Sequence, residues 1–141
     1  MSTGIDVFDT TIQKSNLLIN EIGRELGWEE RPQQTYQALR VVLHALRDRL
    51  PAEEAMHFVA QLPLLIKGVF VDGWSLDEVP IKMNRKEFMT RIGDELKLDI
   101  EGGIERVVHT VINKVFETID PAEADKIIAV LPEEIGELII C

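Results

Sequence analysis

Apolar side chains recur at helical spacing through most of the chain. Across 104–119 they return every three or four residues, and the segment 39–50 has the same rhythm. This spacing gathers the apolar positions on one side of a helix, so it predicts amphipathic helices packed around a common core. We expect two apolar pairs to be buried to the same depth: Val42 with Leu43, and Val111 with Ile112.

The second half of the sequence repeats the first. Segment 36–70 aligns with 105–139 and shares identical residues at Val42/Val111, Glu54/Glu123, Ala55/Ala124, Ala60/Ala129, Leu62/Leu131, Pro63/Pro132 and Ile66/Ile135. The repeats cover about 5–70 and 84–141, with a connector at 71–83. We therefore predict an all-α helical bundle made by tandem duplication of a three-helix unit, forming a single compact domain over 1–141.

Prolines and short polar side chains mark the helix ends. Asn84-x-x-Glu87 is typical of a capping box that begins a helix. Pro63 and Pro132 interrupt the third helix of each repeat at the same place. Proline lacks the amide hydrogen and clashes with the preceding turn, so we expect each to end one helix and begin a short extra one.

The charge balance excludes several classes of partner. The 141 residues carry a formal net charge of −10, which argues against binding to nucleic acid or to anionic membrane surfaces. No apolar run approaches the roughly 20 residues that a membrane-spanning helix needs. Cys141 is the only cysteine, so no internal disulfide can form, and we expect a cytoplasmic protein.

Several packing motifs together carry a family likeness. They are the helix 39–50, Arg49-Leu50-Pro51-Ala-Glu-Glu-Ala55, Gln61-Leu62-Pro63, Gly73-Trp74 and Glu87-Phe88. With these motifs the chain resembles, over nearly its whole length, the bacterial family called domain of unknown function 2267. The resemblance implies a duplicated all-α fold in small cytoplasmic proteins. It supplies no activity and no catalytic residues.

Glu54-Ala-Met-His57 is the sharpest candidate for metal chemistry. Its spacing puts two potential ligands on one helix face, as in di-iron carboxylate bundles, which need two such motifs and two further glutamates. The second repeat reads Glu123-Ala-Asp-Lys126, and a lysine repels a metal ion. We expect Glu54 and His57 to face outward, and we predict no metal and no cofactor.

The remaining histidines form no catalytic constellation. His44 aligns with Asn113 and His109 with Arg40, so neither matches a histidine in the other repeat. We expect His44 to be partly buried and paired with a backbone or side-chain group. The sequence predicts no catalytic residue, and an enzyme is not the expected class.

Two tryptophans lie outside the periodic helices. Trp28 follows the first helix, and Trp74 lies in the connector close to Asp77 and Glu78. Either tryptophan can cover the core, or it can anchor a partner, since tryptophan is enriched in interface hot spots. As an anchor, Trp74 with Asp77 and Glu78 would suit a basic amphipathic helix.

Three functional hypotheses follow from the sequence. The first is a non-catalytic module that binds an unknown protein partner, as a monomer or weak dimer. The second is a carrier of small apolar ligands with a pocket between the repeats. The third is a histidine-centred metal-binding protein or enzyme. The lack of a convergent polar cluster in the sequence favours the first.

Overall fold

The computed structural model describes residues 2–98 and 103–139, so Cys141 lies outside the described part. Within these ranges the chain forms eight α-helices and two short 3-10 helices and no strand, which confirms the predicted all-α class. The α-helices are α1 (Asp6–Leu26), α2 (Pro32–Arg49), α3 (Ala52–Val59), α4 (Leu64–Val71), α5 (Arg85–Leu96), α6 (Gly103–Phe116), α7 (Pro121–Val130) and α8 (Glu133–Gly136). The 3-10 helices cover Leu76–Glu78 and Glu137–Ile139.

The helix ends follow the local sequence signals. Pro63 and Pro132 are the N-cap residues of α4 and α8, as expected for prolines that begin short helices. At the start of α5, the Glu87 amide donates to the Asn84 side chain over 2.8 Å, and the Asn84 amide donates to the Glu87 carboxylate over 3.1 Å. The predicted capping box is therefore present.

The contacts between the two halves of the chain, α1–α4 and α5–α8, are related by symmetry. Helix α1 packs on α6, and α2 packs on α5; α2 also contacts α6, and α3 contacts α7. Suppose that α1, α2 and α3 correspond to α5, α6 and α7. The α1–α6 contact then corresponds to the α5–α2 contact, and the α2–α6 and α3–α7 contacts each correspond to themselves, as a pseudo-two-fold axis requires. The common origin of the halves, and their behaviour as one domain, stay predictions.

The expected core positions are buried. Val42, Leu43, Val111 and Ile112 are all within 2% of complete burial, so the predicted apolar faces are confirmed. They belong to one cluster to which all eight α-helices contribute. The equal depth of the two pairs follows from the matching positions of α2 and α6 at the centre of the bundle.

Aromatic rings connect the halves on one side of the core. The Phe58 ring on α3 stacks on the Phe116 ring on α6, with centroids 5.2 Å apart and planes at 27°. Phe58 also meets Phe70 of α4 at 5.6 Å in a tilted arrangement. Phe58 therefore joins three helices and both halves.

Polar side chains on α2 hold the end of α4. The His44 Nε2 lies 2.7 Å from the Val69 carbonyl oxygen, so of the two expected kinds of partner, backbone or side chain, it is a backbone group, and His44 is buried more fully than expected. Burial lowers the pKa of His44 and keeps the ring neutral near pH 7. One turn later, Arg47 Nη1 donates to the carbonyl oxygens of Phe70 and Asp72, each over 2.9 Å. Both contacts satisfy carbonyls that a helix end leaves without intrahelical donors.

Candidate functional site

Helices α3 and α7 bring two acidic side chains towards the core. Glu54 precedes the fully buried Phe58 by four residues, and Glu123 precedes the fully buried Ile127 by the same interval. Residues four apart share a helix face, so both glutamates lie on the sides where α3 and α7 pack together.

The two glutamates and one histidine form a compact cluster. One potential ligand atom from each of Glu54, His57 and Glu123 lies within 4.8 Å of the others. Glu123 is only 8% exposed, Glu54 is partly buried, and His57 is exposed. Within the described residues, Glu54 Oε2 and Glu123 Oε1 are buried without a hydrogen-bond partner. Buried polar atoms are normally paired, so two unpaired oxygens in one cluster are unusual.

The cluster corrects one expectation about the Glu-x-x-His motif. His57 faces solvent as expected, but the expected outward direction of Glu54 is wrong, because the spacing to Phe58 turns it towards α7. Glu123 was missed, although its match to Glu54 and its spacing to Ile127 were both visible in the sequence. Lys126 is exposed and, within the described chain, makes no ion pair with either glutamate.

The proposed tryptophan anchors lie partly inside the protein. Trp74 packs against the core, with its ring edge-on to Phe70 at a centroid distance of 6.1 Å and an angle of 78°. Trp28 is also partly buried against the core. Asp77 and Glu78 are exposed on the first 3-10 helix, so carboxylates do lie near Trp74 in the chain.

Replacing Trp74 by alanine should destabilise the fold. Because Trp74 is half-buried and its ring contacts Phe70, the free energy of unfolding should fall by about 1–3 kcal/mol, less than for a fully buried ring. Urea denaturation followed by circular dichroism measures the loss. Leu76→Ala, at an exposed connector position, is the control. An unchanged midpoint for Trp74→Ala would remove the core-covering role.

A different apolar surface lies where α1 meets α4. We define the α1–α4 apolar surface by five side chains that are all exposed: Ile5, Phe8, Ile12, Leu64 and Leu65. The Leu65 amide donates to Thr11 Oγ1 over 2.8 Å, which holds the start of α4 against α1 beside Phe8 and Ile12. Large apolar patches on soluble proteins commonly mark interaction sites.

Helix length accounts for the exposure of this surface. Helix α1 has 21 residues, whereas α5, which the predicted duplication pairs with it, has 12. The Arg106 guanidinium near the start of α6 bonds the Glu25 carbonyl near the end of α1, so the two helices run in opposite directions. The first turns of α1 therefore extend past the end of α6 and keep their apolar stripe uncovered. Among the described helices, none combines the length and apolar character needed to cross a bilayer.

A groove between the halves is charged. It has a volume of about 590 Å³ and lies at the end of α1 and the starts of α5 and α6. Its lining includes Glu25, Arg85, Glu105, Arg106 and Glu137. This composition does not suit an apolar ligand, which needs mainly hydrophobic walls.

Comparison with known proteins finds one family. The model of the family described as "Uncharacterized conserved protein (DUF2267)" matches residues 15–138. The match includes the Glu54–His57–Glu123 cluster and begins after Ile12. No curated protein matches the chain. The family description states no biochemical activity.

Proposed function

We propose that this chain, which belongs to the DUF2267 family, is a cytoplasmic protein-interaction module that binds a basic amphipathic helix. The observation that carries the proposal is the α1–α4 apolar surface. Four of its five side chains come from two helices that are hydrogen-bonded to each other, and the fifth, Ile5, is the N-cap residue of α1, so their backbones are fixed before a partner binds. An amphipathic helix binds such a surface by laying its apolar face against it.

The charge around this surface supports a basic partner. Asp6 and Asp9 lie in the first turn of α1, next to Ile5 and Phe8. Hydrogen bonds from the Thr3 amide and hydroxyl lower the pKa of Asp9, so its carboxylate stays charged in mildly acidic buffer. The net charge of −10 opposes close approach of a second copy and attracts a cationic segment.

The carrier hypothesis and the tryptophan-anchor hypothesis receive less support from the structure. The charged groove between the halves does not suit a carrier of apolar ligands. Trp74 is partly packed in the core, so a smaller fraction of this residue is available to a partner than of Phe8, which is 48% exposed. We therefore move the proposed anchor from Trp74 and Trp28 to Phe8. Asp77 and Glu78 are exposed but follow the C-terminal end of α4, whereas Leu64 and Leu65 lie in its first turn, so the acidic contacts assigned to this surface are Asp6 and Asp9.

Phe8→Ser should weaken binding of a basic amphipathic helix by about tenfold or more. Truncating an aromatic hot-spot residue at the centre of an interface costs about 2 kcal/mol or more, which is more than tenfold in Kd. The measurement is fluorescence anisotropy of a labelled synthetic leucine–lysine helical peptide titrated with the full chain. Amide shifts in NMR spectra should map to α1 and α4.

Leu17→Ser is the matched control, because Leu17 lies on the same helix and is 58% exposed, but on another face. It should bind the peptide as the wild type does, and a leucine–glutamate peptide should not bind. Equal binding by Phe8→Ser and wild type would contradict the proposal. The proposal would also be contradicted if the wild type self-associates through this surface. Sedimentation equilibrium would then show a dimer for the wild type and a monomer for Phe8→Ser.

A further inference from the structure

The cluster of Glu54, His57 and Glu123 lies away from the proposed interaction surface and has its own chemistry. Glu54 and His57 are one turn apart on α3, and Glu123 comes from α7 in the other half. Their potential ligand atoms all lie within 4.8 Å of one another. Two carboxylates and an imidazole therefore converge at one point where α3 packs on α7.

Burial shows that this cluster differs from an ordinary solvated group of acids. Glu123 is more than nine-tenths buried, and its Oε1 has no hydrogen-bond partner among the described residues. Glu54 is only partly buried, but its Oε2 atom is buried and also has no hydrogen-bond partner among the described residues. A buried carboxylate oxygen without a partner costs free energy, and two carboxylates at this separation repel each other. A cation bound between them would remove both penalties.

No described side chain supplies that cation. Among the described residues, His57 forms no ion pair within 4.0 Å of either glutamate, and the ion pairs that Arg and Lys side chains form involve other acids. Lys126, one turn after Glu123, is exposed to solvent. The unpaired oxygens therefore lack a cationic partner within the described chain.

We propose that Glu54, His57 and Glu123 bind one divalent transition-metal ion that connects α3 to α7. Two carboxylate oxygens neutralise the charge of the ion, and the imidazole nitrogen selects against Mg²⁺ and Ca²⁺, which prefer oxygen ligands. Zn²⁺, Fe²⁺, Mn²⁺ and Co²⁺ accept this mixed set. His57 is exposed, so the ion has an entry path, and water completes the coordination.

The test is titration of the chelator-treated full chain with Co²⁺, followed by visible absorption. We expect saturable binding of about one ion per chain and displacement by Zn²⁺. Glu54→Gln, His57→Ala and Glu123→Gln should each weaken Co²⁺ binding by at least about 100-fold, since loss of even an outer-shell partner costs 10–100-fold.

Asp125→Asn is the matched control. Asp125 is exposed on α7, two residues from Glu123 and on the opposite side of that helix, so its loss should change Co²⁺ affinity by less than about twofold. An equal loss in Asp125→Asn would identify nonspecific binding to surface acids and overturn the proposal. The absence of saturable Co²⁺ uptake by the folded wild type would do the same.

His57→Ala keeps the test independent of folding, because His57 is exposed and its removal leaves the core intact. The melting temperature of the wild type should rise with Co²⁺ concentration, as it does when a ligand binds only the folded state. His57→Ala should melt at the same temperature with and without micromolar Co²⁺. A Co²⁺-dependent rise of equal size in His57→Ala would contradict the assignment of the imidazole as a ligand.

Discussion

Phe58→Ala should lower the free energy of unfolding by about 3–5 kcal/mol, the usual cost of truncating a fully buried aromatic ring. The Phe58 ring has 0% exposure and contacts the rings of Phe116 and Phe70. Its removal leaves a cavity between three helices and breaks a stacked pair that joins both halves. Urea denaturation followed by circular dichroism gives the change.

The same melts test whether 1–141 behaves as one domain. Because Phe58 contacts residues of both halves, Phe58→Ala should shift a single transition and leave its slope unchanged. Met56→Ala is the control, since Met56 lies on the same helix but is 52% exposed, and it should cost less than about 0.5 kcal/mol. Two separated transitions in the variant would show that the halves unfold independently.

Asp48→Ala should cost about 3–5 kcal/mol, because it leaves a buried arginine without its counter-charge. Asp48 Oδ1 accepts from Arg47 Nε over 2.8 Å, and Asp48 Oδ2 lies 2.5 Å from Arg91 Nη2. The side chains of Arg47 and Asp48 are both at least nine-tenths buried. Since Arg91 belongs to α5, the variant also breaks a contact between the halves.

Glu117→Ala provides the comparison for Asp48→Ala. Glu117 pairs with Lys114 over 3.7 Å at the surface, where ion pairs contribute about 0–1 kcal/mol. Chemical denaturation at pH 7 should therefore separate the two variants clearly. A similar small loss for both would show that the Arg47–Asp48–Arg91 group contributes no more than a solvated pair.

The Arg47–Asp48–Arg91 group also makes the stability of the protein depend on pH. Burial by itself raises the pKa of Asp48, but hydrogen bonds from Arg47 and Arg91 outweigh it, and the pKa is lowered from 3.8. A carboxyl with a lowered folded pKa stabilises the protein above its unfolded pKa, and this stabilisation is lost as the pH falls through the folded value. As the pH falls below about 4, the free energy of unfolding of Asp48→Ala should therefore decrease less than that of the wild type.

The helices could be predicted from the sequence because their signals are local. Asn84 and Glu87 bond each other within one turn, and Pro63 and Pro132 act on the turn in which they lie. The burial of Val111 and Ile112 likewise follows from spacing along one helix. Each of these features depends on atoms a few residues apart.

The Glu54–His57–Glu123 cluster was only half visible in the sequence. The Glu-x-x-His motif was recognised, and the repeat alignment matched Glu54 with Glu123. The lysine at 126 in place of a second histidine indicates no metal only if the site needs two complete Glu-x-x-His motifs. In the structure the second half contributes Glu123 alone, and Lys126 is exposed to solvent.

The sequence by itself determined the all-α class, the helix ends and the buried faces, because periodicity, caps and prolines act within one helix. Only the tertiary structure decided which faces meet. The pairing of α3 with α7 brings Glu54 to Glu123, and the end of α6 leaves Phe8 uncovered on the longer α1. These outcomes depend on contacts between residues far apart in the chain, whose geometry no local pattern specifies.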